Sequence, residues 1–235
     1  MLYMKVLFMD NNSLYTSLIQ SRFYLIFELM GIFVIMPAVL YALLPIPIMP
    51  ILWTIAFICI LAVFRDKTFD RDSLWGSSEL KKNYKGMLKQ FIVIAAVMMA
   101  LIYFFIPDHL FSLIEEDPLL WALIVVFYPL ISVYPQELLY RTFFFHRYQM
   151  LFSGKWQMIT VNALLFGYMH IIFQNWIAVG LTVLGGFLFA SMYERTRSTL
   201  LLSVTHALYG ALIFTIGLGI YFDTGTMLTV SQMLH

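Results

Sequence analysis

Charge is what this sequence has least of. Lys, Arg, Asp and Glu make up 11% of its 235 residues and apolar types 62%, whereas a soluble domain carries about a quarter charged residues. That shortage excludes a water-covered surface over most of the chain. A net charge of +1 excludes the basic excess that a phosphate-binding surface needs, so no nucleic-acid partner is expected. With Cys59 the sole cysteine, internal disulfides and thiolate clusters are excluded, and its place in an apolar run makes it a packing residue. Internal repeats and low-complexity linkers are lacking too. Near the N-terminus, Lys5 is followed by Asp10, Asn11 and Asn12 rather than by an unbroken apolar core and a small-residue cleavage site. No cleavable signal peptide is therefore expected, and the first span should direct insertion.

What remains is a series of apolar runs near the ~20 residues needed to cross a ~30 Å hydrocarbon core. They fall at 23–45, 46–64, 88–106, 118–135, 157–174, 176–193 and 199–221. The expected fold is all-α, a polytopic transmembrane bundle of seven to eight spans forming one integral membrane domain over 1–235. An eighth span is expected only if residues 136–152 separate from 118–135 at Pro135, which can instead kink one continuing helix. Pro45, Pro47 and Pro50 mark the first turn, and 65–87 reads as the one long polar loop.

Basic residues orient the bundle. Lys5 and Arg22 precede the first span; Arg65, Lys67, Arg71, Lys81, Lys82, Lys85 and Lys89 flank the long loop. Arg141, Arg147 and Lys155 follow the fourth span, and Arg195 and Arg197 the sixth. All lie on one side, opposite Asp108, Glu115, Glu116, Asp117 and Asp223, so the positive-inside rule puts the N-terminus in the cytoplasm. Seven spans then place the C-terminus outside. Lys81, Lys82 and Lys85 suit contact with anionic lipid.

Ionisable groups within apolar segments carry the functional information, because each costs ~2.5–3.5 kcal/mol at the bilayer centre on insertion scales. Glu28, Glu137, Arg141, His170 and His206 stand out. On a helix, Glu137 and Arg141 are i and i+4 and can pair, and Asn162, Phe166 and His170 share one face. At ~1.5 Å of rise per residue from each segment's cytoplasmic end, Glu137 lies about 15 Å deep, His170 about 20 Å and His206 about 12 Å. The three can meet. Such a set can hold a metal, activate water or relay protons.

QELLYR at 136–141, FGYMH at 166–170 and HALYG at 206–210 together resemble the three ordered motifs of the CPBP intramembrane proteases. This family, also called Abi or CAAX-protease-like, includes the type II CAAX prenyl endopeptidases and bacteriocin-processing or immunity proteins. Its motifs are Glu-Glu-x-x-x-Arg, Phe-x-x-x-His and His-x-x-x-Asn/Asp. The resemblance spans 115–221 and implies a helical membrane bundle enclosing a catalytic cavity. It also implies that Glu137, Arg141, His170 and His206 are site residues and that the substrate is a membrane-associated peptide or protein. A divalent metal such as zinc on Glu137, His170 and His206 is one implied arrangement; a glutamate-driven mechanism without metal is the other. Gln136 stands where the family has its water-activating glutamate, and Gly210 where it has an amide or carboxylate.

Blander readings apply elsewhere. Glu28 snorkels or pairs near the cytoplasmic interface, His109 and His146 are solvated or interfacial, and Phe143, Phe144 and Phe145 face lipid or core. For the motif residues themselves, the structural alternatives are a packing ion pair at Glu137–Arg141 and helix-linking hydrogen bonds from the histidines. Two further functions stay open at this point. A non-catalytic member that binds a peptide or partner is favoured by Gln136 and Gly210, and a small transporter also uses buried Glu, Arg and His but lacks the repeated halves many carriers show.

Overall fold

Proline sets the character of the longest helix. In a computed structural model that describes residues 21–223, the chain from Pro118 to Arg147 is one continuous 30-residue helix. Pro129 and Pro135 lie inside it. A proline removes a backbone donor and crowds the carbonyl one turn earlier, and a membrane helix tolerates this when a neighbour satisfies the freed group. Here the helix widens into π turns at Pro129–Val133 and Leu138–Phe143. The carbonyl of Ile131, four residues before Pro135, accepts instead from the Trp53 indole Nε1 at 2.9 Å. No separate eighth span occurs at 136–152; Pro135 sits within one long helix.

The seven apolar helices among the described residues are α1 (Arg22–Ala42), α2 (Ile48–Phe64), α3 (Ser77–Phe105), α4 (Pro118–Arg147), α5 (Lys155–Met169), α6 (Trp176–Thr196) and α7 (Thr199–Thr215). No strand is present among these residues. Counting the 3-10 turn after α5, five of the apolar segments are long and apolar enough to cross a membrane, and α2 and α7 are apolar helices of 17 residues. Large apolar side chains such as Phe57, Phe104, Phe105, Leu130 and Leu184 are exposed on their outer faces, the expected surface of an integral membrane protein. Lys5 and the polar residues at 10–12 lie outside the described residues, as does the chain beyond 223.

The expected long loop at 65–87 is shorter than its polarity suggested. It holds a 3-10 turn at Arg71–Leu74 and ends at Ser77, where α3 begins about ten residues before its apolar part. Lys81, Lys82, Lys85 and Lys89 thus ride on the polar first turns of a helix. Asp66 organises the start of this loop. Its carboxyl is held below the usual carboxylate range first by the backbone N–H of Thr68, then by the Thr68 hydroxyl and His146. The stabilisation is present at neutral pH and fades as pH falls through that lowered value.

Short connections, the 3-10 turn His170–Phe173 with Gln174 and Asn175 for α5–α6 and the two residues Arg197 and Ser198 for α6–α7, make antiparallel hairpins. Each passes through a left-handed residue, Gln174 at φ +54° and Arg197 at φ +47°, which stops one helix. Asn175 and Ser198 then cap the next, accepting from the Ile177 and Leu201 amides. Backbones of α5 and α6 touch: a Cβ on Gly186 would lie 2.9 Å from the Ala163 carbonyl oxygen, the close approach that small residues permit between membrane helices.

The core lies around α4. Phe143, Phe144 and Phe145 are each at most 2% exposed, so they take the core place rather than the lipid face. Phe33 of α1 is edge-on to Tyr140, Phe144 and Tyr148. At the Arg22 end of α1, Arg147 forms a bidentate pair with Glu28, Nε to Oε1 at 2.8 Å and Nη2 to Oε2 at 3.0 Å, which assigns Glu28 a partner. Nearby, His146 meets Asp66 at 3.1 Å. Arg147→Leu is expected to cost about 1.5–3 kcal/mol, the usual worth of charge-assisted hydrogen bonds. An unfolding free energy in mixed micelles that matches wild type would show that the pair does not fasten α1.

Candidate active site

Three motif-bearing helices, α4, α5 and α7, deliver polar side chains to one buried place. Glu137 projects from α4 just before its second π turn, Asn162 and Phe166 from one face of α5, and His206 from the second turn of α7. Glu137, Arg141 and Asn162 are fully buried, and His206 is 6% exposed.

The central contact is between Glu137 Oε1 and His206 Nδ1, 2.8 Å apart. A carboxylate accepts, so the imidazole proton resides on Nδ1 and Nε2 carries the lone pair of the neutral ring. The other carboxylate oxygen, Oε2, lies 3.6 Å from Arg141 Nε. That is ion-pair distance but longer than a hydrogen bond, and neither atom has another hydrogen-bond partner. The pair is coulombic, and in a low-dielectric interior that attraction is strong. Arg141 is fixed by other means: Nη1 donates to Asn162 Oδ1 at 2.7 Å, and the guanidinium carbon lies 4.8 Å from the Phe166 ring centroid. Asn162 in turn donates to the Tyr140 carbonyl at 2.7 Å. It thereby ties α5 to the backbone of α4.

His170 stands beside this network without joining it by a hydrogen bond. It begins a 3-10 turn at the end of α5, and its Nδ1 donates to the Phe166 carbonyl at 2.7 Å, leaving Nε2 as the acceptor of the neutral ring. The Phe166 ring lies between the networks, edge-on to His170 with centroids 4.9 Å apart and to His206 at 5.6 Å. Phe189 of α6 stacks on His206 at 4.7 Å and 27°. The arrangement can orient two imidazoles and set a carboxylate beside a guanidinium in a water-poor interior.

Of the residues expected from the sequence, Glu137 contacts both Arg141 and His206, and His170 is their neighbour across Phe166. Gln136 is not among them. It is half-buried and donates to Ser132 Oγ at 2.8 Å. Sequence reasoning placed Asn162 on the correct face but gave it no role, and it missed Phe189 and Tyr128. The Tyr128 hydroxyl lies 3.3 Å from His206 Nε2, a contact across 78 residues with no local pattern to signal it.

A catalytic zinc takes three protein ligands and an open position. Among the described residues no group of three His, Cys, Asp or Glu side chains is placed to hold a metal ion. The Nδ1 bonds of His206 and His170 leave each Nε2 open, as in a metal-ligating histidine, but Glu137 is engaged on the Nδ1 side of His206 and completes no set of three with the two Nε2 atoms. As they are placed, Glu137, His170 and His206 do not fit a shared metal.

A buried carboxylate–imidazole pair joins the first and third of the ordered motifs, on α4 and α7. Residues 117–212, from the cap of α4 to the last turns of α7, match the family model described as Rce1-like, type II CAAX prenyl endopeptidase Rce1-like, and it is to that family that this segment is similar. No curated protein and no solved structure matches the chain.

Proposed function

We infer that the chain is an intramembrane endopeptidase that hydrolyses a peptide bond at or within the bilayer. The observation that carries this reading is the 2.8 Å contact of Glu137 with His206, because it fixes the tautomer in which His206 Nε2 is a base. Water attacks the peptide carbonyl carbon while its proton passes to Nε2. Glu137 stabilises the imidazolium that forms, and Arg141 sets its positive charge 3.6 Å from the other carboxylate oxygen. When the tetrahedral intermediate collapses, the C–N bond breaks and the Nε2 proton goes to the leaving nitrogen. His170 Nε2, unengaged by the Phe166 carbonyl, accepts a hydrogen bond from the attacking water and orients it. Glu137, the glutamate left to serve as base if the implied glutamate-driven mechanism holds, here orients His206 and stabilises its charged form.

The substrate is a membrane-associated peptide or protein; nothing in the site calls for a prenyl group. Orientation with the basic loops in the cytoplasm belongs to the same reading. Cysteines at Lys82 and Glu116 in a Cys59→Ser background should label from opposite faces, and labelling from one face would overturn it. Cleavage of a panel of fluorogenic membrane-anchored peptides by protein in liposomes tests the activity. Because the residues do not fit a metal, prior dialysis against a chelator should leave the rate unchanged within twofold; loss restored by zinc would reject the metal-free mechanism.

One observation favours a second reading. Gln136, at the position of the family's first glutamate, cannot accept a proton from water and bonds Ser132 instead. A chain that binds membrane peptides without cleaving them would show saturable peptide binding and no product at any enzyme concentration.

A further inference from the structure

The third motif ends on Gly210, where the family has a side chain with a polar donor or acceptor. In the structure that space is filled from another helix. A Cβ built on Gly210 would lie 2.2 Å from Tyr128 Cε1 and 2.8 Å from the Tyr128 hydroxyl oxygen. The ring of Tyr128, on α4, therefore occupies the volume that a side chain at 210 would take, and only glycine admits it. The same ring is edge-on to His206, centroids 6.2 Å apart, and edge-on to Phe214 at 5.8 Å, so α7 holds it from both sides. Its hydroxyl is the group 3.3 Å from His206 Nε2.

We propose that the Tyr128 hydroxyl supplies, from α4, the polar group that Gly210 omits, and that it is the oxyanion donor for hydrolysis. This rests on the endopeptidase reading of the Glu137–His206 pair. With the His206 proton on Nδ1, the lone pair on Nε2 makes the phenol the donor of that contact. Water that arrives to be activated takes Nε2 as its acceptor and releases the phenol O–H. A hydroxyl rotates about its C–O bond without moving its ring, so the freed proton turns to the substrate carbonyl oxygen as negative charge develops there. The phenol keeps its proton throughout; only its acceptor changes. An O–H beside the attacked carbon is where a transition-state donor must sit. Tyr128 and Gly210 thus form a swapped pair, a large polar side chain on one helix facing a glycine on the other.

The swap also revises a repair that the sequence invites. Restoring Asn at 210 alone cannot supply the missing amide, because its Cβ collides with the Tyr128 ring. Room exists only when Tyr128 is truncated.

Steady-state cleavage of the fluorogenic peptide panel in liposomes tests the proposal with wild type, Tyr128→Phe, Tyr128→Ala, Gly210→Asn and Tyr128→Ala/Gly210→Asn. Loss of one such donor costs about 10²–10³ in kcat. Tyr128→Phe keeps ring and packing, so kcat should fall by that factor with KM within about twofold, because the lost interaction belongs to the transition state. Tyr128→Ala should fall as far, and the double substitution should recover at least tenfold over it. An active wild type with Tyr128→Phe equally active would overturn the proposal while leaving the endopeptidase reading intact. An inert wild type would overturn both the endopeptidase reading and the donor role. The ground-state contact is read separately by the ¹⁵N resonances of His206 in the full chain in nanodiscs. Loss of the phenol should move Nε2 towards the value of an unbonded acceptor, and an unmoved Nε2 in Tyr128→Phe would reject the contact.

Discussion

Arg141→Leu is expected to destabilise the protein by about 3–5 kcal/mol, the cost of stranding a buried carboxylate without its counter-charge. Glu137 is fully buried, with His206 on one oxygen and the guanidinium 3.6 Å from the other. Removing both members, as Glu137→Leu/Arg141→Leu, should cost less than the sum, because no uncompensated charge then remains. Asn162→Leu should fall between, since it removes the acceptor of Arg141 and the donor to the Tyr140 carbonyl while leaving the charges opposed. A double-mutant cycle on unfolding in mixed micelles measures these terms. Additivity between 137 and 141 would mean that the two groups do not feel one another at 3.6 Å.

Glu137→Gln is expected to lower peptide cleavage by about 10³–10⁴, comparable to replacing the orienting carboxylate of a hydrolase triad by its amide. Its shape is kept. The amide no longer stabilises a His206 imidazolium, and it can present a donor to Nδ1, which favours the tautomer whose Nε2 carries a proton and cannot act as base. The substitution also leaves Arg141 opposite a neutral group, so stability should drop as well. Rates must therefore be normalised to folded protein, measured by size-exclusion profile and helical circular dichroism. Gln136→Ala, which removes only the bond to Ser132, should stay within about tenfold of wild type. A normalised Glu137→Gln that retains more than a tenth of the wild-type rate would remove the carboxylate from the mechanism.

Much of this architecture is legible in the sequence because the bilayer imposes it. Helix length against hydrocarbon thickness locates the seven apolar segments, and the scarcity of charge within them makes Glu137, Arg141, His170 and His206 conspicuous. Depth counting brings Glu137 and His206 to one level because rise per residue is nearly constant. Features that depend on contacts between distant segments are not legible in this way. Pro135 reads equally as a break or as a kink in one helix, and only the fold decides: Trp53 from α2 takes up the carbonyl it frees, so α4 continues. The polar start of α3 gives no apolar signal although it is helical from Ser77. Glu28 finds Arg147 across 119 residues. Above all, Gly210 reads in isolation as a lost polar group, and only the fold shows that Tyr128 fills its place.

The most direct test of the account is the cleavage of a membrane-anchored reporter peptide by wild-type protein in liposomes, with His206→Ala alongside. The Glu137–His206 pair as catalytic centre predicts a product that accumulates in proportion to wild-type enzyme, resists a chelator, and falls by at least about 10³-fold in folded His206→Ala. A wild type that cleaves and a folded His206→Ala that cleaves equally well would contradict it.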